Sequence, residues 1–218
     1  MGVWEQFVTY VSQNGFYIWE EFYRHFLMAA YGVLFAAIVS IPIGILIAKY
    51  GKMSGWVLTV GSIIQTIPVL GFMAMLMVSM GLGTTTVITT VFFYSLLPII
   101  QNTYVGIKGV DQTVIEAAYA SGMTWLQLLT KVEVPLAVSV IMAGIRTALV
   151  VGIGIVAIGT FVGAGGLGSI IVRGTNATDG TAIILAGAVP TAFMAIIADL
   201  VLGRVERKLN PANKTSSA

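Results

Sequence analysis

The chain has 218 residues, of which 57% are apolar and 9% charged, with 11 Lys+Arg, 9 Asp+Glu, 25 Gly and no Cys. A soluble domain carries roughly a quarter charged residues, so this composition excludes an ordinary soluble enzyme; it also excludes a disordered chain and a disulfide-stapled secreted module. A formal net charge of +2 gives no reason to expect a nucleic-acid partner, and what remains is an integral membrane protein in contact with lipid.

Residues 1–25 come first in chain order, and they are aromatic. Trp4, Phe7 and Tyr10, then Phe16, Trp19, Phe22 and Phe26, recur at helical spacing and are broken by Asn14-Gly15. The segment lacks the basic start and short apolar core of a signal peptide. Such rings prefer the headgroup level, so an interfacial helix is expected, with a frayed leader of no importance as the alternative. His25, the sole histidine, stands beside Arg24 with no second ligand at metal spacing. It reads as an interfacial residue at the mouth of the first span, and no metal site is expected.

Five runs follow that match the ~20 apolar residues of a membrane crossing, at 26–48, 56–80, 84–104, 136–162 and 181–203. They are continuously apolar, not alternating, which argues for an all-α fold and against a membrane barrel. No residue between Lys52 and Lys108 is charged, and the polar cluster Gly81–Thr86 supplies the turn of a helical hairpin there. The division expected is therefore a leader (1–25), a five-helix membrane domain (26–203) and a polar tail (204–218). Lys49, Lys52, Lys108, Lys131, Arg204, Arg207, Lys208 and Lys214 fall on one side of this arrangement, and only Arg24 and Arg173 on the other. The positive-inside bias places the C-terminus in the cytoplasm and the N-terminus outside.

The longest cytoplasmic loop, about 105–135, contains a short amphipathic helical pair at 111–135. Asp111 can cap the first helix, with Val114, Ala117, Ala118 and Ser121 along one face. Gly122 permits a positive φ and a sharp reversal. Thr124 can cap a second helix carrying Trp125, Leu126, Leu128 and Leu129, and Pro135 opens the fourth span. An apolar cytosolic face with no domain to cover it implies a partner protein.

The string Glu116-Ala117-Ala118, then Gly122, then Val132-x-Val134-Pro135 resembles the EAA loop of ATP-binding cassette importer permeases, whose usual ending is Ile-x-Leu-Pro. The two aliphatic departures are conservative. The five-span layout, and the segment Phe161-Val-Gly163-Ala-Gly165-Gly166-Leu-Gly168 after the fourth span, resemble the five-helix permeases of methionine and osmoprotectant uptake. The stretches Gln65-Thr-Ile-Pro68, Ala143-Gly-Ile-Arg146 and Gly152–Gly159 are most similar to those of glycine betaine/carnitine/choline permeases. The resemblance implies a type I importer permease fold, in a bacterial cell membrane. It also implies a second permease subunit, alike or different, cytosolic ATPases that bind the ATP and dock on the loop, and an external substrate-binding (lipo)protein. In that reading Glu116 is an anionic contact for the ATPase, Ala117 and Ala118 allow close docking, Gly122 sets the bend, and Val132, Val134 and Pro135 join the loop to the span. The chain itself is then non-catalytic and needs no cofactor.

Several other features invite weaker readings. Gly163-Ala-Gly165-Gly-Leu-Gly168 satisfies a dinucleotide-binding pattern, but that pattern has meaning only between a strand and a helix, so a flexible external loop closing the pore is expected instead. No Gly-x-x-x-x-Gly-Lys-Ser/Thr occurs in the chain. Asn176-Ala-Thr178 is a glycosylation sequon with no secretory context to support it. Arg146 and Asp199 are the ionisable residues inside the membrane zone, and they read as a structural ion pair or pore-lining groups before a sensor of substrate charge. Pro42, Pro68, Pro98 and Pro190 each interrupt a span; with Gln65 and Gln101 they either border a cavity or merely improve packing. If a path exists, Gln65, Pro68, Pro98 and Gln101 are candidates for its wall, with Arg146. The competing classes are a methionine or other amino-acid importer permease, an ion-gradient-driven transporter, and a membrane scaffold. A gradient-driven carrier would show internal repeats and intramembrane acids, and Asp199 is the one acid within the spans.

Overall fold

A computed structural model describes residues 2–178 and 180–210; Lys214 and the rest of the tail from 211 to 218 lie outside the described residues. Among the described residues all regular secondary structure is helical, with no strand. In order the helices are α1 (Val3–Lys49), α2 (Ser54–Thr66), α3 (Val69–Met80), α4 (Thr84–Lys108), α5 (Gln112–Ala120), α6 (Trp125–Leu128), α7 (Val134–Ile158), α8 (Leu167–Thr175) and α9 (Thr181–Leu209). Helix α1, helix α4, the run Trp125–Val162 and helix α9 are each long and apolar enough to cross a membrane. Together α2 and α3 also qualify, but they are bent by 95° at their junction.

The expected span over 56–80 is thus two helices, and the break falls at Pro68, one of the four prolines expected to interrupt a span. The residue before a proline is pushed out of the helical region, and here Ile67 (ψ 130°) and Pro68 (ψ 130°) are both extended. The other three prolines behave differently from expectation: Pro42, Pro98 and Pro190 lie inside helices that continue through them. Pro98 sits in α4, the central helix, where Leu97, Ile99 and Ile100 are buried between neighbours that hold the helix to its course.

Helix α4 packs between α1 and α7. The approach is close because small residues stand at the crossings, as membrane helices require where no hydrophobic drive operates between them. A Cβ on Gly32 would lie 2.5 Å from Val91 Cγ1, and one on Gly44 would lie 2.5 Å from Thr103 Cβ. On the opposite side Gly144 meets Asn102 and the Pro98 carbonyl. Met28, Val33, Val87, Val91, Ile153 and Leu167 form the buried centre.

Helix α1 bends at Asn14 (φ −116°, ψ 16°) and then runs on without a break to Lys49. Lys49, Lys108, Lys131 and the α5–α6 loop gather at one end of the bundle, here the basic end. The Gly81–Gly83 turn and the Gly163–Gly168 loop occupy the other, where Gly83 N–H donates to the Val162 carbonyl at 2.7 Å.

Candidate functional site

The basic end carries the 111–135 loop. Asp111 caps α5 by accepting from the Thr113 N–H and the Thr113 hydroxyl, both at 2.8 Å. The Thr113 hydroxyl first, and then its N–H, hold the Asp111 carboxyl below the usual carboxylate range. Gly122 takes φ +79° and reverses the chain. Thr124 and Gln127 then form a reciprocal capping box at the start of α6. Ala118 and Leu128 turn inward and are buried, whereas Val114, Glu116, Ala117, Ser121, Trp125 and Leu126 are exposed. The buried face of α5 is therefore the Ala118 side, and the small and apolar remainder is left open. Glu116 accepts only from Gln112, at 3.3 Å and in an exposed position.

Helix α6 does not stop before α7. Leu129–Glu133 form a single π turn in which Val134 N–H reaches back to the Leu129 carbonyl, the five-residue spacing of a π-bulge, a feature frequent at functional sites. Val132 lies within this turn, and Val134 and Pro135 form the first turn of α7. The turn also places Glu133 inside the bundle, 1% exposed. Glu133 is ion-paired there with Lys49, the last residue of α1, at 2.5 Å. Removing one partner of a buried pair leaves an uncompensated charge and costs about 3–5 kcal/mol. Nothing in the sequence pattern singles out this pair, because its two members are separated by 84 residues.

Midway along the bundle, three of the four uncharged candidates for the path wall come together. Pro98 has no N–H to offer the Tyr94 carbonyl one turn earlier, and that carbonyl instead accepts from Gln65 Nε2 at 3.1 Å. Tyr94 in turn donates its hydroxyl to the Ile67 carbonyl, at the break before Pro68. Pro98 and the helix break before Pro68 thus leave two carbonyls without a helical donor, and Gln65 and Tyr94 satisfy them by crossing between α2 and α4. Gln101 lies one turn beyond and is exposed. Tyr94 escaped sequence reasoning, although its place four residues before Pro98 was a usable signal.

Arg146 and Asp199 form a two-pronged pair, with Nε to Oδ1 at 2.6 Å and Nη2 to Oδ2 at 2.8 Å. A third member joins them: Arg146 Nη1 donates to Glu206 Oε2 at 3.1 Å. The guanidinium lies over Gly203, where a Cβ would stand 3.1 Å from Nη1. Asp199, Gly203 and Glu206 are spaced to fall on one face of α9, a pattern hidden by assigning Glu206 to a polar tail. The Asp199 side chain is 41% exposed, so this charged group faces the outside of the subunit. Charges within a membrane normally face a cavity or a partner.

The opposite end differs most from expectation. His25 is fully buried, at 0% exposure, and is not an interfacial residue. Its Nε2 lies 2.9 Å from the Ile153 carbonyl and its Nδ1 accepts from Leu167 N–H at 3.2 Å, which together require the neutral tautomer protonated on Nε2. Glu21, also buried, accepts from Gly166 N–H. Gly163, Gly165 and Gly166 have φ between +75° and +80°, and a Cβ on Gly168 would run into the Ala157 carbonyl. Val162, Ala164 and Leu167 are buried. The glycine loop is thus a packed, hydrogen-bonded element, where a flexible one was expected. The aromatic leader docks beside it: Arg173 lies 4.9 Å over the Tyr17 ring and donates to its hydroxyl.

A family model described as "Binding-protein-dependent transport system inner membrane component" matches residues 40–211. The chain is 65% identical to the glycine betaine/carnitine/choline transport system permease protein OpuCD of Bacillus subtilis (strain 168), covering 98% of this chain and 93% of that one. It is 39% identical to OpuCB, a permease protein with the same system description in the same organism, with 94% of each chain covered. Among solved structures, the MetNI methionine ABC transporter in an inward facing conformation matches with a TM-score of 0.79 over 88% of this chain and 95% of that one; at 19% identity this is a likeness of fold.

Proposed function

The chain belongs to the family of binding-protein-dependent transport system inner membrane components, and from that premise we propose that it is the permease subunit of an ATP-driven importer of a compatible solute: glycine betaine, carnitine or choline. The observation that carries the mechanism is the 111–135 loop, an open face of small and apolar side chains mounted on a helix continuous with α7. Cytosolic ATPases dock there. Ala117 admits the close approach, Ala118 seats α5 on the bundle, Glu116 offers an anionic contact, and Gly122 fixes the bend. Val132, Val134 and Pro135 pass the displacement to α7.

The basic end faces the cytoplasm, in keeping with the positive-inside bias, and the glycine end faces an external binding protein. An aromatic cage suited to a quaternary ammonium group belongs to that binding protein. Gln65, Pro68, Pro98 and Gln101 form part of the path wall together with the Arg146–Asp199–Glu206 cluster, which is otherwise a costly group to leave against lipid. The identities of 65% to OpuCD and 39% to OpuCB support a heteromeric pair in which this chain takes the OpuCD-like place. ATP binding and hydrolysis are the work of the partner ATPases, and this chain needs no cofactor.

Uptake of labelled glycine betaine, carnitine and choline into proteoliposomes holding both permeases, the ATPases and the binding protein tests the reading. ATP-dependent uptake is expected. Uptake driven by an ion gradient without ATP would replace it with a secondary transporter, and ATP-dependent uptake of methionine alone would overturn the substrate class.

A further inference from the structure

The stretch of α1 from Glu21 to Lys49 is fastened at both ends to the two loops described above. At the basic end its last residue, Lys49, pairs with the buried Glu133 of the π turn. Trp125 and Leu129 line a cavity with Pro42, Leu46 and Tyr50, so α6 lies along the same stretch of α1. At the glycine end Glu21 and His25 accept the Gly166 and Leu167 amides, and His25 is also bonded to the Ile153 carbonyl. Between these points α1 has no non-helical residue, Pro42 included. At 1.5 Å per residue the distance from Glu21 to Lys49 is about 42 Å, the full thickness of a bilayer with its headgroups. Close packing of Gly32 on Val91 and of Gly44 on Thr103 keeps α1 from bowing away from α4.

We propose that α1 acts as a tie rod: the Lys49–Glu133 pair at one end, and the Glu21 and His25 bonds at the other, make the seating of the Gly163–Gly168 loop depend on the position of the 111–135 loop. The inference rests on the importer reading and adds to it a route by which docking at one membrane face sets the loop at the other. Glu133 cannot let go of Lys49 cheaply, because it is buried and its second oxygen has no protein donor. A displacement of the π turn therefore draws Lys49 with it. At the far end Glu21 holds the Gly166 amide and His25 the Leu167 amide, so a slide of α1 along its axis breaks both bonds together. Lys49 and Glu133 are positioning residues in this scheme, acting on a loop that they do not touch.

The chain contains no cysteine, so Ala164→Cys, at a position in the glycine loop with 0% exposure, supplies a single reporter. Its labelling rate by a membrane-impermeant maleimide is measured in the complete complex in proteoliposomes. Lys49→Met and Glu133→Gln are each expected to raise that rate about 5- to 10-fold, the low end of couplings between distant sites. The exchange Lys49→Glu with Glu133→Lys is expected to bring it back toward the parent value, and Glu21→Gln, at the near end of the rod, to raise it directly. ATP-driven uptake by the Ala164→Cys complex is recorded first: its absence in both this and the parent complex counts against the importer reading. Uptake together with a labelling rate that neither Lys49→Met nor Glu133→Gln alters overturns the tie rod alone.

Discussion

Gly122 and Gly166 adopt nearly the same left-handed backbone, with φ of +79° and +80°, but their surroundings are opposite. A Cβ on Gly122 would meet nothing within 4 Å, whereas one on Gly166 would stand 3.2 Å from His25 Nδ1 and 3.3 Å from Met28 Cε. The turn at the basic end is an open surface built on caps of its own, Asp111 and Thr124. The loop at the glycine end is closed, and its amides are used by α1. One conformational requirement thus appears in two settings: a turn left open at the surface, and a turn filled by its own subunit. Substitutions at the closed end should act on folding, and substitutions at the open end on coupling.

The largest effect is expected at the closed end. Gly168→Val forces side-chain atoms into the Ala157 carbonyl and should destabilise the subunit by about 3 kcal/mol, the upper range for overpacked sites, seen as a lower melting temperature in detergent. An unchanged melting temperature would show that the loop is looser than its contacts indicate. His25→Ala comes next, since it leaves the buried Leu167 amide without its acceptor at about 2 kcal/mol, within the usual range for one unsatisfied buried group; the same melting assay reads it, and His25→Gln should recover part of the loss. At the open end Gly122→Ala meets only backbone strain, about 1–2 kcal/mol. Its melting curve should move less than that of His25→Ala, and the reverse order would undo the contrast between the two ends. The smallest effect belongs to Asp111. Its carboxyl is held below its ordinary value by Thr113, so the cap contributes fully above the unfolded value of about 3.9 and is lost as pH falls through the lower folded value. Hydrogen exchange at the Thr113 amide should be evenly protected, after correction for intrinsic rates, from about pH 7 down to that value of about 3.9 and lose protection only below it. Asp111→Asn should remove that pH dependence.

The open end was largely legible in the sequence because its signals are local. Asp111, Gly122 and Thr124 each act within a few residues of their own position, and the Glu116-Ala117-Ala118 string needs no distant partner to be recognised. The closed end was not legible, because His25 is explained only by Ile153 and Leu167, partners 128 and 142 residues away. Read alone beside Arg24 in an aromatic leader, it belonged at an interface. The prolines teach the same lesson. Four looked alike, but the span breaks only at Pro68, where Tyr94 of another helix donates to the Ile67 carbonyl; at Pro98 the helix runs on, and Gln65 takes up the freed Tyr94 carbonyl. Glu133 and Glu206 were passed over because a π turn and a shared helix face, not sequence proximity, bring them to Lys49 and Arg146.

The central claim is that ATP-derived motion enters this subunit through the open turn at Gly122. The direct measurement is the number of solute molecules imported per ATP hydrolysed, in proteoliposomes carrying the complete complex with Gly122→Asp in place of the parent chain. A charge and a strained φ at this turn are predicted to leave the subunit folded and inserted while driving that ratio toward zero. Import per ATP equal to that of the parent complex would contradict the claim.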